Sequence, residues 1–176
     1  MNTTRTSASA PVRLTAAGPG DKSVLARLLQ LYLYDFSEFR PAELSAQGTY
    51  EYRYFDHYFT GSADREAYLI TAADRLAGFA LARRDVEGDE GTWNISEFFV
   101  VRRHRRRGVA REAARLLFQR HPGPWTLSYL SANAPAASLW PAVADAVSPG
   151  PVVRTEGQPS DDTTLLRFHV HPARVR

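Results

Sequence analysis

The chain has 176 residues, 44% hydrophobic and 23% charged, with a formal net charge of +3. That length suits one domain able to bury a core, and no apolar run approaches the roughly 20 residues that span a bilayer. Cysteine is absent, which excludes disulfides, thiolate metal sites and a cysteine nucleophile, and fits a reducing, cytoplasmic setting.

Residues 1–10, MNTTRTSASA, contain no acid and no apolar stretch of the secretory kind, so they read as a disordered tail. Residues 11–16 suit an opening strand, ended by Gly18-Pro19-Gly20, and Asp21 stands at a helix N-cap position. From Lys22 to Phe36, Val24, Leu25, Leu28, Leu29, Tyr32 and Phe36 recur at helical spacing. Residues 37–61 crowd Tyr50, Tyr52, Tyr54, Phe55, Tyr58 and Phe59 together and read as a loop followed by a short helix.

Strands are expected over 66–71 and 75–83, joined by a hairpin turn at Ala72-Ala73-Asp74, with a polar turn over 88–91. Trp93 to Val101 is β-rich, with Ile95, Glu97, Phe99 and Val101 on one face and Asn94, Ser96, Phe98 and Val100 on the other. From Gly108 the apolar stripe Val109, Ala110, Ala113, Ala114, Leu117 and Phe118 predicts a helix, stopped by Pro122-Gly123-Pro124. A strand over 125–130, a helix over 135–147 and a strand pair over 152–155 and 164–170 complete an α/β domain spanning 11–172, with a tail at 173–176. Pro141 falls inside the last helix and predicts a short or bent one.

Of 22 basic residues only Lys22 is lysine, and Arg102, Arg103, Arg105, Arg106 and Arg107 lie within six positions. By charge alone this run suits a solvated surface or a nucleic-acid patch. Its placement, between a strand and a helix that opens at Gly108, suits a phosphate. Helix N-termini present unpaired N–H groups and partial positive charge, and Gly108 and Ala110 keep side chains out of the way. The five histidines show no metal-ligand spacing beyond His169-x-His171, which a strand end explains.

Arg105-x-x-Gly108-x-Ala110 matches the Arg/Gln-x-x-Gly-x-Gly/Ala motif of GNAT-type N-acetyltransferases. Glu97-Phe98-Phe99-Val100 resembles their fourth strand, and Asn133 to Trp140 is similar to their Asn-x-x-Ala-x-x-aromatic-aromatic segment. Leu31 to Glu38 resembles a bacterial branch of that family. The resemblance implies a mixed, mostly antiparallel sheet with splayed fourth and fifth strands, flanked by about four helices. It implies acetyl-CoA as co-substrate, with backbone groups of Phe98, Phe99 and Val100 on the pantetheine arm. Amides of Arg105, Arg106, Arg107, Gly108, Val109, Ala110 and Arg111 would hold the pyrophosphate. Asn133 would contact the cofactor arm or cap the following helix; both readings stand.

The implied reaction is direct attack of an amine on the thioester. Glu97 is the candidate base, and an arginine-paired structural role is its alternative. Many relatives place a tyrosine where this chain has Trp140, and an indole N–H is a donor without useful acidity. Trp140 would pack against the cofactor or offer its N–H to the sulfur, leaving Tyr129, or unassisted departure, for the thiolate. The acceptor is expected to be a small-molecule or protein amine. Tyrosines with Asp35, Glu38 and Asp56 suit a cationic one, while core packing explains many of the tyrosines equally. A homodimer stays open. A non-catalytic acyl-CoA sensor and an arginine-rich nucleic-acid module are the alternatives.

Overall fold

The computed structural model describes residues 11–86, 89–157 and 162–172. The expected tails, 1–10 and 173–176, lie outside the described residues. Seven strands form one sheet in the order β1-β2-β3-β4-β5-β7-β6. They are β1 Val12–Ala16, β2 Arg65–Ala72, β3 Arg75–Val86, β4 Asp89–Val100, β5 Gly123–Leu130, β6 Val153–Glu156 and β7 Thr163–Val170. Every neighbouring pair is antiparallel except β4 with β5.

The helices are α1 Lys22–Phe36, α2 Val109–Arg120 and α3 Ala134–Val147, with 3-10 turns at Pro19–Asp21, Phe55–Phe59 and Arg102–His104. Three helices therefore stand where about four were expected, because residues 55–59 make only a 3-10 turn. Asp21 serves that first 3-10 turn rather than capping α1: its Oδ2 accepts the Gly18 N–H at 3.0 Å. α3 runs through Pro141 for 14 residues, so the proline does not shorten it. The turn expected over 88–91 is strand from Asp89 onward, and residue 88 lies outside the described residues.

Two apolar layers sandwich the sheet. On one face α2 and α3 bury Leu117, Phe118 and Val143 against Ile70, Trp125, Leu127 and Leu166. On the other, α1 places Leu25, Leu28 and Leu29 against Ala67, Phe79, Leu81 and Phe99. Each such side chain contributes roughly 1.5–3 kcal/mol of transfer free energy. The far end of α2 is tied to the sheet as well. The His121 Nε2 lies 2.8 Å from Glu66 Oε2, its ring stacks on Trp93 with centroids 3.8 Å apart, and its carbonyl accepts the Trp125 Nε1–H at 2.8 Å.

The alternation expected along β4 breaks at one point. Leu81 pairs with Glu97 but Ala82 pairs with Ile95, so Ser96 is an extra residue, a bulge. Ile95 consequently shares the α2/α3 layer with Phe98 and Val100. Glu97, Phe99 and Val101 turn to the α1 side, where Phe99 and Val101 join the second core. This corrects the expectation that Ile95 and Glu97 lie on one face.

Gly78 of β3 sits opposite Val100, with room for no side chain: a Cβ there would lie 1.9 Å from the Phe99 carbonyl oxygen. Gly78→Ala is expected to destabilise the protein by at least about 2 kcal/mol by forcing β3 and β4 apart. Urea unfolding of the two proteins measures it, and an unchanged midpoint refutes the close approach.

Candidate active site

β4 and β5 pair over only three positions, Trp93–Trp125, Asn94–Thr126 and Ile95–Leu127. Beyond them β4 stays with β3 as far as Val100, and β5 stays with β7 as far as Leu130. The facing edges part just where the Ser96 bulge adds twist to β4. Between them opens a cleft of about 340 Å³, walled by Glu97 and Phe98, by Ser128 and Tyr129, and by Tyr32 and Trp140 from the two helical layers.

The β4 edge in this cleft carries unpaired backbone. The Val101 N–H donates to Ala77 O at 2.8 Å, so by strand alternation residues 97, 99 and 101 address β3 while Phe98 and Val100 address the gap. The Val100 carbonyl confirms the phase, because it accepts the Arg105 Nε–H at 2.7 Å. What remains open is the N–H and C=O of Phe98 and the N–H of Val100. Phe99 turns its backbone to β3, away from the cleft.

Ahead of α2 the chain passes through two left-handed residues, Arg106 at φ 58° and Gly108 at φ 76°. Glycine takes that conformation without strain, whereas Arg106 holds it at a cost of order 1 kcal/mol. The Arg105 N–H bonds to Arg102 O at 3.2 Å, and the backbone ladder resumes with Glu112 N–H to Gly108 O at 3.0 Å. Among the described residues, the amides of Arg106, Arg107, Gly108, Val109, Ala110 and Arg111 have no backbone acceptor. A Cβ on Gly108 would meet nothing within 4 Å. An open, donor-lined helix end of this kind takes anions.

The arginines divide. Arg102 and Arg105 reach back to α1, donating to Asp35 Oδ1 at 2.7 Å and Oδ2 at 2.5 Å. Burial opposes ionisation of Asp35, but hydrogen bonds and charge from Arg105 and Arg102 outweigh it and hold its carboxyl below the usual range. Arg105 also lies over the Phe99 ring at 5.4 Å. With its amide bonded and its guanidinium engaged, Arg105 is a brace for the loop and not one of the open donors. Arg103, Arg106, Arg107 and Arg111 are exposed around them.

Glu97 faces the α1 side of the cleft. The Tyr52 hydroxyl donates to its Oε1 at 2.9 Å, and the Tyr32 hydroxyl addresses the same carboxylate. Burial raises the carboxyl above the ordinary glutamate range, and the two tyrosines and the charge of Arg83 only partly offset it. The same desolvation pushes Tyr32 and Tyr52 far upward, so both stay protonated donors. A half-buried carboxylate with an elevated pKa, open to a cleft, is suited to accept a proton.

On the opposite wall Asn133 Oδ1 accepts the Ala136 N–H at 3.2 Å, so it caps α3 while also bordering the cleft. Trp140 is buried, its ring edge-to-face with Phe98 at 5.1 Å. Asp35 is spent on its two arginines, and Asp56 pairs with Lys22 at 3.0 Å. Neither these nor Glu38 lines the cleft, whose carboxylate is Glu97.

Residues 27–142 match the family model described as "Acetyltransferase (GNAT) family". The chain belongs to the GNAT acetyltransferases. Among solved structures this GNAT chain is similar in fold to an acetyltransferase from Thermus thermophilus, with TM-score 0.63 and 15% identity over 91% of this chain and 96% of the other. It is likewise similar to the ribosomal-protein-S18-alanine N-acetyltransferase from Escherichia coli (TM-score 0.59, 11% identity, 94% and 99% covered). Arabidopsis thaliana NAA60 in complex with acetyl-CoA gives TM-score 0.55 and 13% identity, with 90% and 98% covered. No curated protein sequence matches the chain significantly.

Sequence reasoning missed the tyrosine pair on Glu97, since Tyr32 and Tyr52 come from an α1 position and a loop with no shared periodicity. It also missed the Asp35 brace, for which the arginine run was the only available signal. The brace makes a testable demand. Asp35 has a depressed folded pKa, so its stabilisation is present above the unfolded value of about 3.9 and lost as pH falls through the folded one. Asp35→Asn should therefore be less stable than wild type at pH 7, with the difference closing below about pH 4. A difference constant from pH 7 to pH 2 in urea titrations contradicts the ion pairing.

Proposed function

We propose that this GNAT protein is an N-acetyltransferase that moves an acetyl group from acetyl-CoA to an amine by direct attack within a ternary complex. The observation that carries the reading is the continuity of two kinds of unpaired donor. The open amides of residues 106–111 stand ahead of α2, and the free N–H of Val100 lies on the β4 edge that leads to them. The free backbone of Phe98 lies on that same edge, in the cleft that Glu97 also lines. A diphosphate suits the first, and an extended amide-bearing arm suits the second, adding to β4 as a strand would. When bound, the co-substrate supplies an activated acyl carbon on a thiol leaving group.

The protein's own groups do the rest. An alkyl amine is mostly protonated near neutral pH and must lose a proton to attack. Glu97 accepts it, directly or through one water, from the α1 side. Tyr32 and Tyr52 hold the carboxylate in place. Trp140 and Phe98 wall the opposite side and exclude water. The acceptor enters past Tyr32 and Phe36, so its body meets aromatic surface, and no carboxylate besides Glu97 awaits it in the cleft. The setting proposed is cytoplasmic; no helix among the described residues is long and apolar enough to cross a membrane.

Acetyl-CoA at about 100 times its Kd should stabilise the protein by roughly 2.7 kcal/mol, read as a rise in Tm, and Gly108→Glu should abolish that rise. A normal rise in the variant removes the α2 loop from the reading. Glu97→Gln should lower kcat by about 10²- to 10⁴-fold. Because the base must be ionised, activity should fall as pH drops through the raised Glu97 pKa. The acid limb of kcat/KM should lie above the ordinary glutamate value of about 4.3 and vanish in Glu97→Gln. An acid limb that survives in the variant assigns the base elsewhere.

A further inference from the structure

Gln30 of α1 spends its side-chain amide on one backbone unit of another segment. Its Nε2–H donates to the Tyr50 carbonyl at 3.0 Å, and its Oε1 accepts the Tyr50 N–H at 2.7 Å. An amide bonded in both directions to one residue sets that residue's place and orientation together. Among the described residues, these two are the hydrogen bonds that tie residues 41–51 to the rest of the protein; those around Ser45 and Thr49 are internal to the loop. Packing along this stretch is open, because a cavity of about 350 Å³ lies between Leu33 and residues 42–45, 50 and 51. Two residues on, the Tyr52 hydroxyl donates to Glu97 Oε1 at 2.9 Å. The next backbone bond, Phe55 N–H to Tyr52 O, is 3.4 Å long and past the usual range. α1 therefore reaches the carboxylate twice, directly through Tyr32 and, by way of Gln30 and Tyr50, through Tyr52.

We infer that Gln30 is a positioning residue for the acetyl transfer: it locks the loop so that the Tyr52 hydroxyl meets the carboxylate that takes the amine's proton. This rests on the reading of Glu97 as the base. Gln30 itself is not part of the cleft wall, so it acts by keeping a donor in register. The groups facing Glu97 are Tyr32 from α1, Tyr52 from the loop, Tyr58 from the 3-10 turn and Arg83 from β3. A hydroxyl that donates to a carboxylate favours its charged form. Releasing Tyr52 therefore makes Glu97 keep its proton to higher pH, and the base is ready over a narrower range.

Carbon-13 NMR of the Glu97 carboxyl reads this without turnover, in wild type, Tyr52→Phe, Gln30→Met and the double variant. Methionine matches glutamine in length and helix propensity but cannot bond to Tyr50 in both directions. Tyr52→Phe should raise the carboxyl midpoint by about 1 pH unit, the worth of one hydrogen bond to a charge. Gln30→Met should raise it by a similar amount, and the double variant no further than Tyr52→Phe alone. A wild-type midpoint in Gln30→Met, or two shifts that add in full, overturns the proposal. The acid limb of kcat/KM should move upward with the carboxyl in Gln30→Met. A carboxyl that moves while the limb stays overturns the base assignment, and Gln30's part in the reaction with it, while the contact stands. Without any variant, the wild-type Tyr50 amide should exchange with deuterium at least about 10-fold more slowly than that of Glu51. Equal exchange rates show that the loop is not tied at Tyr50 and overturn the proposal by themselves.

Discussion

A sheet that comes apart in its middle governs this molecule. Two parallel strands share three residue pairs and then diverge, each still held by its other neighbour. Unpaired backbone at the centre of a sheet is unfavourable unless something satisfies it. Here the polar groups of Phe98 are left in a cleft, the N–H of Val100 is left on the same strand edge, and the donors that open α2 follow a few residues along the chain. The protein is thus built as a sheet lacking one short strand, with an anion-seeking terminus at the end of the vacancy.

The Ser96 bulge determines which chemistry reaches which side. Without the extra residue, Glu97 would lie with the α2/α3 layer and its carboxylate would sit among Phe98, Trp140 and the apolar core of that face. With it, Glu97 meets Tyr32 and Tyr52, and the aromatic wall of Phe98 and Trp140 stays dry. One inserted residue separates a carboxylate-bearing face from an apolar one. The loop before α2 depends on a second device: the Asp35 bridge ties it to α1, so the helix bordering the cleft and the loop that opens α2 are held as one body.

Much of this was legible in the sequence, and the rest was not for identifiable reasons. The α2 stripe from Val109 to Phe118 and the α1 stripe from Val24 to Phe36 are strong 3.6-residue patterns that no neighbour overrides. Gly108 was legible as the opening of the first of them and as a gap for a ligand, while its positive φ came only with the structure. The split of β4 was hidden because a bulge belongs to the pairing of two strands, not to one strand's alternation. The crowd of tyrosines after Tyr50 looked helical in part, yet those rings pack under α1 and hydrogen-bond a strand, which a 3-10 turn serves as well as a helix. Asp35 and Asp56 looked like receptors for a cation because charge pairing at a distance in sequence leaves no trace in local spacing.

The link from Arg105 to the Val100 carbonyl has a further consequence. An extended guest laid along β4 could in principle slide by two residues, since an edge repeats with that period. The guanidinium occupies the next acceptor on the edge, so the ladder offers one phase and stops. With the helix opening fixed at the other end by the same arginine's hold on Asp35, the strand and the loop together act as a ruler. A ligand anchored by its anionic end can present its far end at a single depth only.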